Sequence, residues 1–206
     1  MHTFFLLLPL MAILIIRLII NSKPNEDKSQ NNNDFYSRER EAMFARNKDI
    51  SNLEMFIPDI KALPFHDTTN DSDLRSIEDK VKESAAEPMI DFHEYTNTDL
   101  KIMYGKGNFP TISKYDQNFM YFTRDLFVWG KYLYENNYTD DACIILEYLI
   151  SVASDNSSAF TILAKIYCSR NTPEKITELI NIVEQAEDSL SKRTTINSLR
   201  NIINSY

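Results

Sequence analysis

A chain of 206 residues with a formal net charge of −8 has room for one ordinary domain and a terminal appendage, and its acidity argues against the broad, clustered Lys and Arg surface that nucleic acid demands. Its two cysteines, Cys143 and Cys168, are too few for a disulfide framework and form no CxxC pair, and its three glycines leave no phosphate-cradling loop. With 43 % apolar residues, an all-α protein is expected.

From Phe4 to Ile20 the chain is apolar apart from Arg17. Thirteen Leu, Ile and Phe side chains there contribute roughly −4 to −8 kcal/mol to bilayer insertion, against at most about +3 for an arginine at the centre. Residues 3–21 are therefore expected to form a transmembrane helix, with Arg17 reaching the headgroups from one turn inside. A cleaved signal peptide is the rival, but Met1-His2-Thr3 lacks Lys and Arg, and Ile19 to Lys23 offers no small-residue cleavage site. Lys23, Lys28, Arg38, Arg40, Arg46 and Lys48 all come after the span. By the positive-inside rule the N-terminus faces out and the rest of the chain is cytoplasmic.

Residues 22–94 read as a polar juxtamembrane linker with short helices. Asn21 to Asp34 lacks an apolar period and is expected as a flexible tether, and Asp34 to Arg46 as a short charged helix beside the headgroups or simply in solvent. Ser51-Asn52-Leu53-Glu54 is a possible capping box, but Pro58 and Pro64 limit the residues after it to a turn and extended chain. Leu74, Ile77 and Val81 share one face of a helix expected over Ser72 to Ala86. From Pro88 to Pro110 the apolar residues have no clean period, and Gly105-Lys106-Gly107 reads as a turn after a short helix.

Residues 95–206 form the expected helical domain. Ser113-x-x-Asp116 is a capping box, and Tyr115, Phe119, Phe122, Leu126, Trp129 and Leu133 make one apolar stripe on a helix ending near Asn136-Asn137. Thr139 with Asp140 and Asp141, Ser157, and Thr172-Pro173-Glu174 mark three further helix starts. A last helix runs from about Leu190 to Tyr206, with Ile196, Leu199, Ile203 and Tyr206 on one side.

A shift of 34 residues pairs Leu126 with Phe160, Trp129 with Leu163, Gly130 with Ala164, Leu133 with Tyr167, Ala142 with Ile176 and Leu146 with Ile180. Phe160-x-x-Leu163-Ala164-x-x-Tyr167 resembles the tetratricopeptide pattern W-x₂-L-G-x₂-Y. The resemblance covers about Tyr121 to Glu187 and implies antiparallel helix pairs, a fragment of an α-solenoid. It departs from the family at Trp129, where leucine is usual, at Ile176, where alanine is usual, and in lacking the terminal proline. The stretches Arg38-Glu39-Arg40-Glu41-Ala42, Arg46 to Leu53, and Asn97 to Lys101 with Tyr104-Gly105 look like a group of uncharacterised bacterial proteins. That resemblance implies one N-terminal membrane helix and a cytoplasmic tetratricopeptide-like tail.

No catalytic set, cofactor motif or metal site is expected. His2, His66 and His93 show no HExxH spacing, and Gly105-Lys106-Gly107 lacks the G-x₄-G-K-[ST] order. The expectation is a protein that is not an enzyme: a membrane-tethered interaction module bound to the lipid bilayer through residues 3–21 and to a protein or peptide partner. An enzyme with an unrecognised site and an exported helical binding protein are the alternatives. Tyr121, Val128 and Tyr132 lie away from the core stripe and are the expected partner-binding residues, unless residues 88–110 fold back and cover them.

Overall fold

A computed structural model describes residues 26–153, 156–185 and 190–205. Among them are eight helices: α1 (Glu26–Phe44), α2 (Ser72–Ala86), α3 (Asn97–Tyr104), α4 (Phe109–Glu135), α5 (Thr139–Val152), α6 (Ser157–Ser169), α7 (Pro173–Gln185) and α8 (Leu190–Asn204). The described residues form no sheet, only one antiparallel bridge between Phe56 and Met89, so the fold class is all-α. The expected transmembrane helix over 3–21 lies outside the described residues. Among those that are described, no helix is long and apolar enough to cross a membrane.

The chain divides into two compact units, one taking it up to Asn52 together with Glu94–Ile112, the other taking Leu53–His93 together with Ser113–Tyr206. In the first unit α1 packs on α3. Ala42 is buried, the Thr98 hydroxyl donates to Glu39, and Arg38 pairs with Asp99. The α1 helix begins at Glu26, earlier than the tether expected over 21–34 allows. Thr96 and Asp99 cap α3 reciprocally. At its other end Gly105 takes φ +93°, and a Cβ there would stand 2.4 Å from the Asn47 Cα. The close approach lets the Lys48 amide reach the Tyr104 carbonyl at 3.0 Å and the Gly107 amide reach Asn47 Oδ1 at 2.8 Å.

In the second unit α4 carries the core stripe, with Phe122, Leu126, Trp129 and Leu133 fully buried. The helix starts at Phe109 and runs through the capping box expected at Ser113. Pro110 has its φ preset for a first turn, and the Asn108 carbonyl accepts from Thr111 and Ile112 at 3.0 Å. Asp116, freed from capping, accepts the Phe92 amide at 3.2 Å. Residues 53–93, expected as linker, supply Leu63, Leu74, Val81 and Met89 to the core. Asp71 caps α2 by accepting from Asp73 and Leu74.

All twelve residues paired by the 34-residue shift are buried. Gly130 has a structural reason to be small, since a Cβ would come within 2.7 Å of Leu146 on α5. Helix α6 packs on α5 and α7, and α8 packs on both α6 and α7, burying Leu199. The turns repeat as well. After α4 the Tyr138 amide reaches the Leu133 carbonyl at 2.9 Å, and after α6 the Thr172 amide reaches Tyr167 at 3.0 Å. Each turn places an asparagine in the left-handed region, Asn137 at φ +67° and Asn171 at φ +55°, which completes the same helix-ending motif 34 residues apart. Asn137→Ala and Asn171→Ala are each expected to cost about 1 to 2 kcal/mol in urea unfolding, while the glycine variants hold parental stability. A neutral alanine at one site would show that the two turns are not equivalent.

Candidate interaction groove

The groove begins with two amphipathic helices. Helix α2 turns Leu74 and Val81 fully into the core and leaves Ile77 and Lys80 beside α4, where Tyr121, Arg124, Asp125 and Val128 flank the buried stripe. A cavity of about 380 Å³ opens between them, lined by Lys80, Glu83 and Glu87 of α2 and its C-terminal cap and by Lys114, Tyr121 and Arg124 of α4. A neighbouring cavity of about 240 Å³ continues past Ile77, Asp125 and Val128. Two hydrogen bonds bracket α2 against α4. The Tyr132 hydroxyl donates to Asp71 Oδ2 at 2.8 Å just before the helix, and Asn118 Nδ2 donates to the Pro88 carbonyl at 2.8 Å just after it.

The expected partner residues thus separate into two kinds. Tyr121 and Val128 are 45 % and 43 % exposed and line the groove. Tyr132 is half-buried and engaged: its bond to Asp71 pushes its hydroxyl pKa up to about 12, so it remains a donor at any ordinary pH. The neighbour along this face within the second unit is α2, contributed by residues 72–86. Of the segment 88–110, Met89 and Phe92 are buried in the second unit, and residues 94–112 belong to the first.

Arg124 organises the groove wall. Its Nε and Nη2 donate to Asp125 Oδ1 at 3.1 and 2.9 Å, which holds the guanidinium 4.9 Å over the Tyr121 ring. Lys80, Lys114 and Arg124 oppose Glu83, Glu87 and Asp125, so the lining carries both signs around an aromatic platform. The Ser84 hydroxyl is spent on the Val81 carbonyl at 3.2 Å. The groove offers apolar contact beside side chains of both charges.

Sequence reasoning missed a second polar cluster in this unit. His66 Nδ1 lies 2.8 Å from Glu78 Oε1 and its Nε2 lies 3.2 Å from Asp141 Oδ2, while its backbone amide donates to both Glu78 oxygens at 3.0 and 3.1 Å. Glu78 is 2 % exposed. Desolvation pulls the His66 pKa down, but the bonds and charges of Glu78 and then Asp141 outweigh it, and the net shift is upward. The partners stand 12 and 75 positions away, so no spacing in the sequence could mark them.

Glu147 gathers three donors. The Tyr167 hydroxyl stands at 2.7 Å, Lys175 at 3.2 Å and the Cys143 thiol at 3.5 Å. Burial raises the Cys143 pKa and keeps it a thiol, and both cysteines are buried and free. His93 pairs with its neighbour Asp91 at 2.9 Å on the surface. Among the described residues no group of three or more His, Cys, Asp or Glu could hold a metal ion. In comparisons with known proteins, no family model, no curated protein and no solved structure matches the chain.

Proposed function

We propose that this chain is a membrane-tethered interaction module: residues 3–21 enter the bilayer, and a soluble domain of tetratricopeptide-like helix pairs receives a peptide segment of a protein partner in the groove between α2 and α4. The observation that carries the reading is the contrast on α4. Its core stripe is sealed, whereas Tyr121 and Val128 stay open beside Arg124. The turns and small residues recurring at 34 positions support the repeat reading. The apolar run from Phe4 to Ile20 and the Lys and Arg after it support tethering with the domain on the cytoplasmic face.

The lining favours a segment with an aliphatic or aromatic anchor over Tyr121 and Val128 and a carboxylate near Arg124 or Lys114. A photo-crosslinking residue in place of Tyr121, in the full chain in native membranes, should therefore trap a protein partner. Arg124→Glu combined with Val128→Asp should abolish the adduct. The same crosslinker at Ile144, exposed on α5, should give no adduct. Equal labelling from both positions, or an adduct that survives the double change, would remove the groove from consideration.

A further inference from the structure

Across the last three turns of α1, Tyr36, Arg40, Met43 and Phe44 recur at i, i+4, i+7 and i+8 and so share one face. Three of them are large and strongly exposed, Tyr36 at 65 %, Met43 at 59 % and Phe44 at 81 %. The side of the helix that meets α3 is elsewhere, at buried Ala42 and at Arg38, which pairs with Asp99. The stripe is therefore not the residue of an internal packing face.

We infer that the Tyr36, Arg40, Met43 and Phe44 face of α1 lies in the headgroup region of an anionic bilayer, as an interfacial helix that sets the first unit on the membrane surface. The inference rests on the anchor proposed for residues 3–21. Its occupant is argued from three observations. First, an aromatic side chain with a polar tip, apolar Phe and Met, and an arginine that can extend its guanidinium to phosphate are the side chains an interface accepts. Second, α1 begins six residues after the apolar run ends at Ile20, so only a short stretch of chain separates it from the proposed anchor. Third, charge is unevenly shared. Outside the proposed anchor, which holds Arg17, the unit made of residues 1–52 and 94–112 has eight Lys and Arg against eight Asp and Glu, whereas the rest of the chain holds thirteen against twenty-two. Only the second of these balances is repelled by an anionic surface, and exposed Arg40, Arg46 and Lys48 lie on or just beyond the stripe.

The test uses the full chain reconstituted into vesicles of phosphatidylcholine and phosphatidylglycerol, with and without acyl-chain bromination. Tyr36→Trp and Phe44→Trp each add a reporter on the stripe, and Ile57→Trp adds one at a residue 84 % exposed in the second unit. Trp129, fully buried, supplies a constant background. Brominated lipid should extinguish most of the added emission at positions 36 and 44 and leave position 57 unaffected. Arg40→Glu in the Phe44→Trp chain should restore much of the lost emission. Alkaline carbonate extraction of the same vesicles reads the anchor separately. Retention of the chain with no quenching at 36 or 44 would overturn the inference and leave the anchor standing, whereas release by carbonate would overturn the anchor itself.

Discussion

Trp129→Ala is expected to cost about 3 to 5 kcal/mol, the range for deleting a large buried ring, and so to remove much of the stability of a domain held by roughly 5 to 15 kcal/mol. The indole is completely buried and stacks on Phe65 with centroids 4.6 Å apart and planes 25° from parallel. Phe65 in turn lies under the Lys82 ammonium at 4.7 Å. The ring is thus the joint between the segment before α2 and the helix pairs, and alanine opens a cavity that two elements share. Trp129→Phe should cost much less. A phenyl ring can still stack on Phe65, and the substitution removes an indole N–H that finds no acceptor among the described residues, a buried donor whose desolvation is a standing cost. Thermal and urea melts of the full chain and both variants check this. An alanine variant that melts with the parent would show that the ring is not a core element.

His66 is expected to make the stability of the second unit fall as pH rises above 6.5, the ordinary value of a free histidine. Both of its ring nitrogens face carboxylate oxygens, and only the imidazolium has two N–H donors to satisfy them. A neutral ring turns one contact into an acceptor facing an acceptor. Because Glu78 and Asp141 raise the folded-state pKa above the ordinary value of 6.5, the stabilisation is fully present below that value and is lost as pH climbs through the folded pKa. Urea unfolding at intervals from pH 5.5 to 9 should show the decline. His66→Ala should flatten it and lower stability by about 3 kcal/mol, since it leaves the buried Glu78 carboxylate with a backbone amide as its remaining partner from position 66. Adding Glu78→Gln should recover part of that loss by removing the stranded charge. A parent whose stability is level from pH 6.5 to 9, or an alanine variant that keeps the parental slope, would show that His66 does not carry a proton between the two carboxylates.

The candidate groove was partly legible in the sequence. Tyr121 and Val128 recur at helical spacing away from an apolar stripe, and helix period alone set them apart from the core without deciding whether their face was open or covered. Tyr132 shares that spacing, yet its hydroxyl is committed to Asp71, a residue 61 positions earlier. The groove's other wall was not legible. Helix α2 shows an ordinary amphipathic pattern, and nothing in that pattern names the helix it will lie beside.

The same division runs through the molecule. Helices α5, α6 and α7 start at Thr139, Ser157 and Pro173, the residues marked in the sequence, although no side chain caps α5 and Asn156 rather than Ser157 caps α6; the acidic first turn of α5 and Pro173 of α7 act within one turn of the backbone. The recurrence at 34 residues was likewise readable, since the positions it pairs carry apolar or small residues and are all buried. Where two local signals competed, context ruled: Pro110 and the Asn108 carbonyl started α4, and Ser113 and Asp116 became interior positions. The extended parts of residues 53–93 carried no period to read, because extended chain is buried by whatever meets it. Met89 is paired with Phe56, Phe65 with Trp129, and His66 with carboxylates on two different helices. The sequence by itself therefore determined most of the helices and their apolar faces, though not where α1 and α4 begin, because those interactions span a few residues. Only the tertiary structure decided which faces meet and which polar groups are buried together, because those energies arise between groups that the chain brings into contact from tens of residues apart.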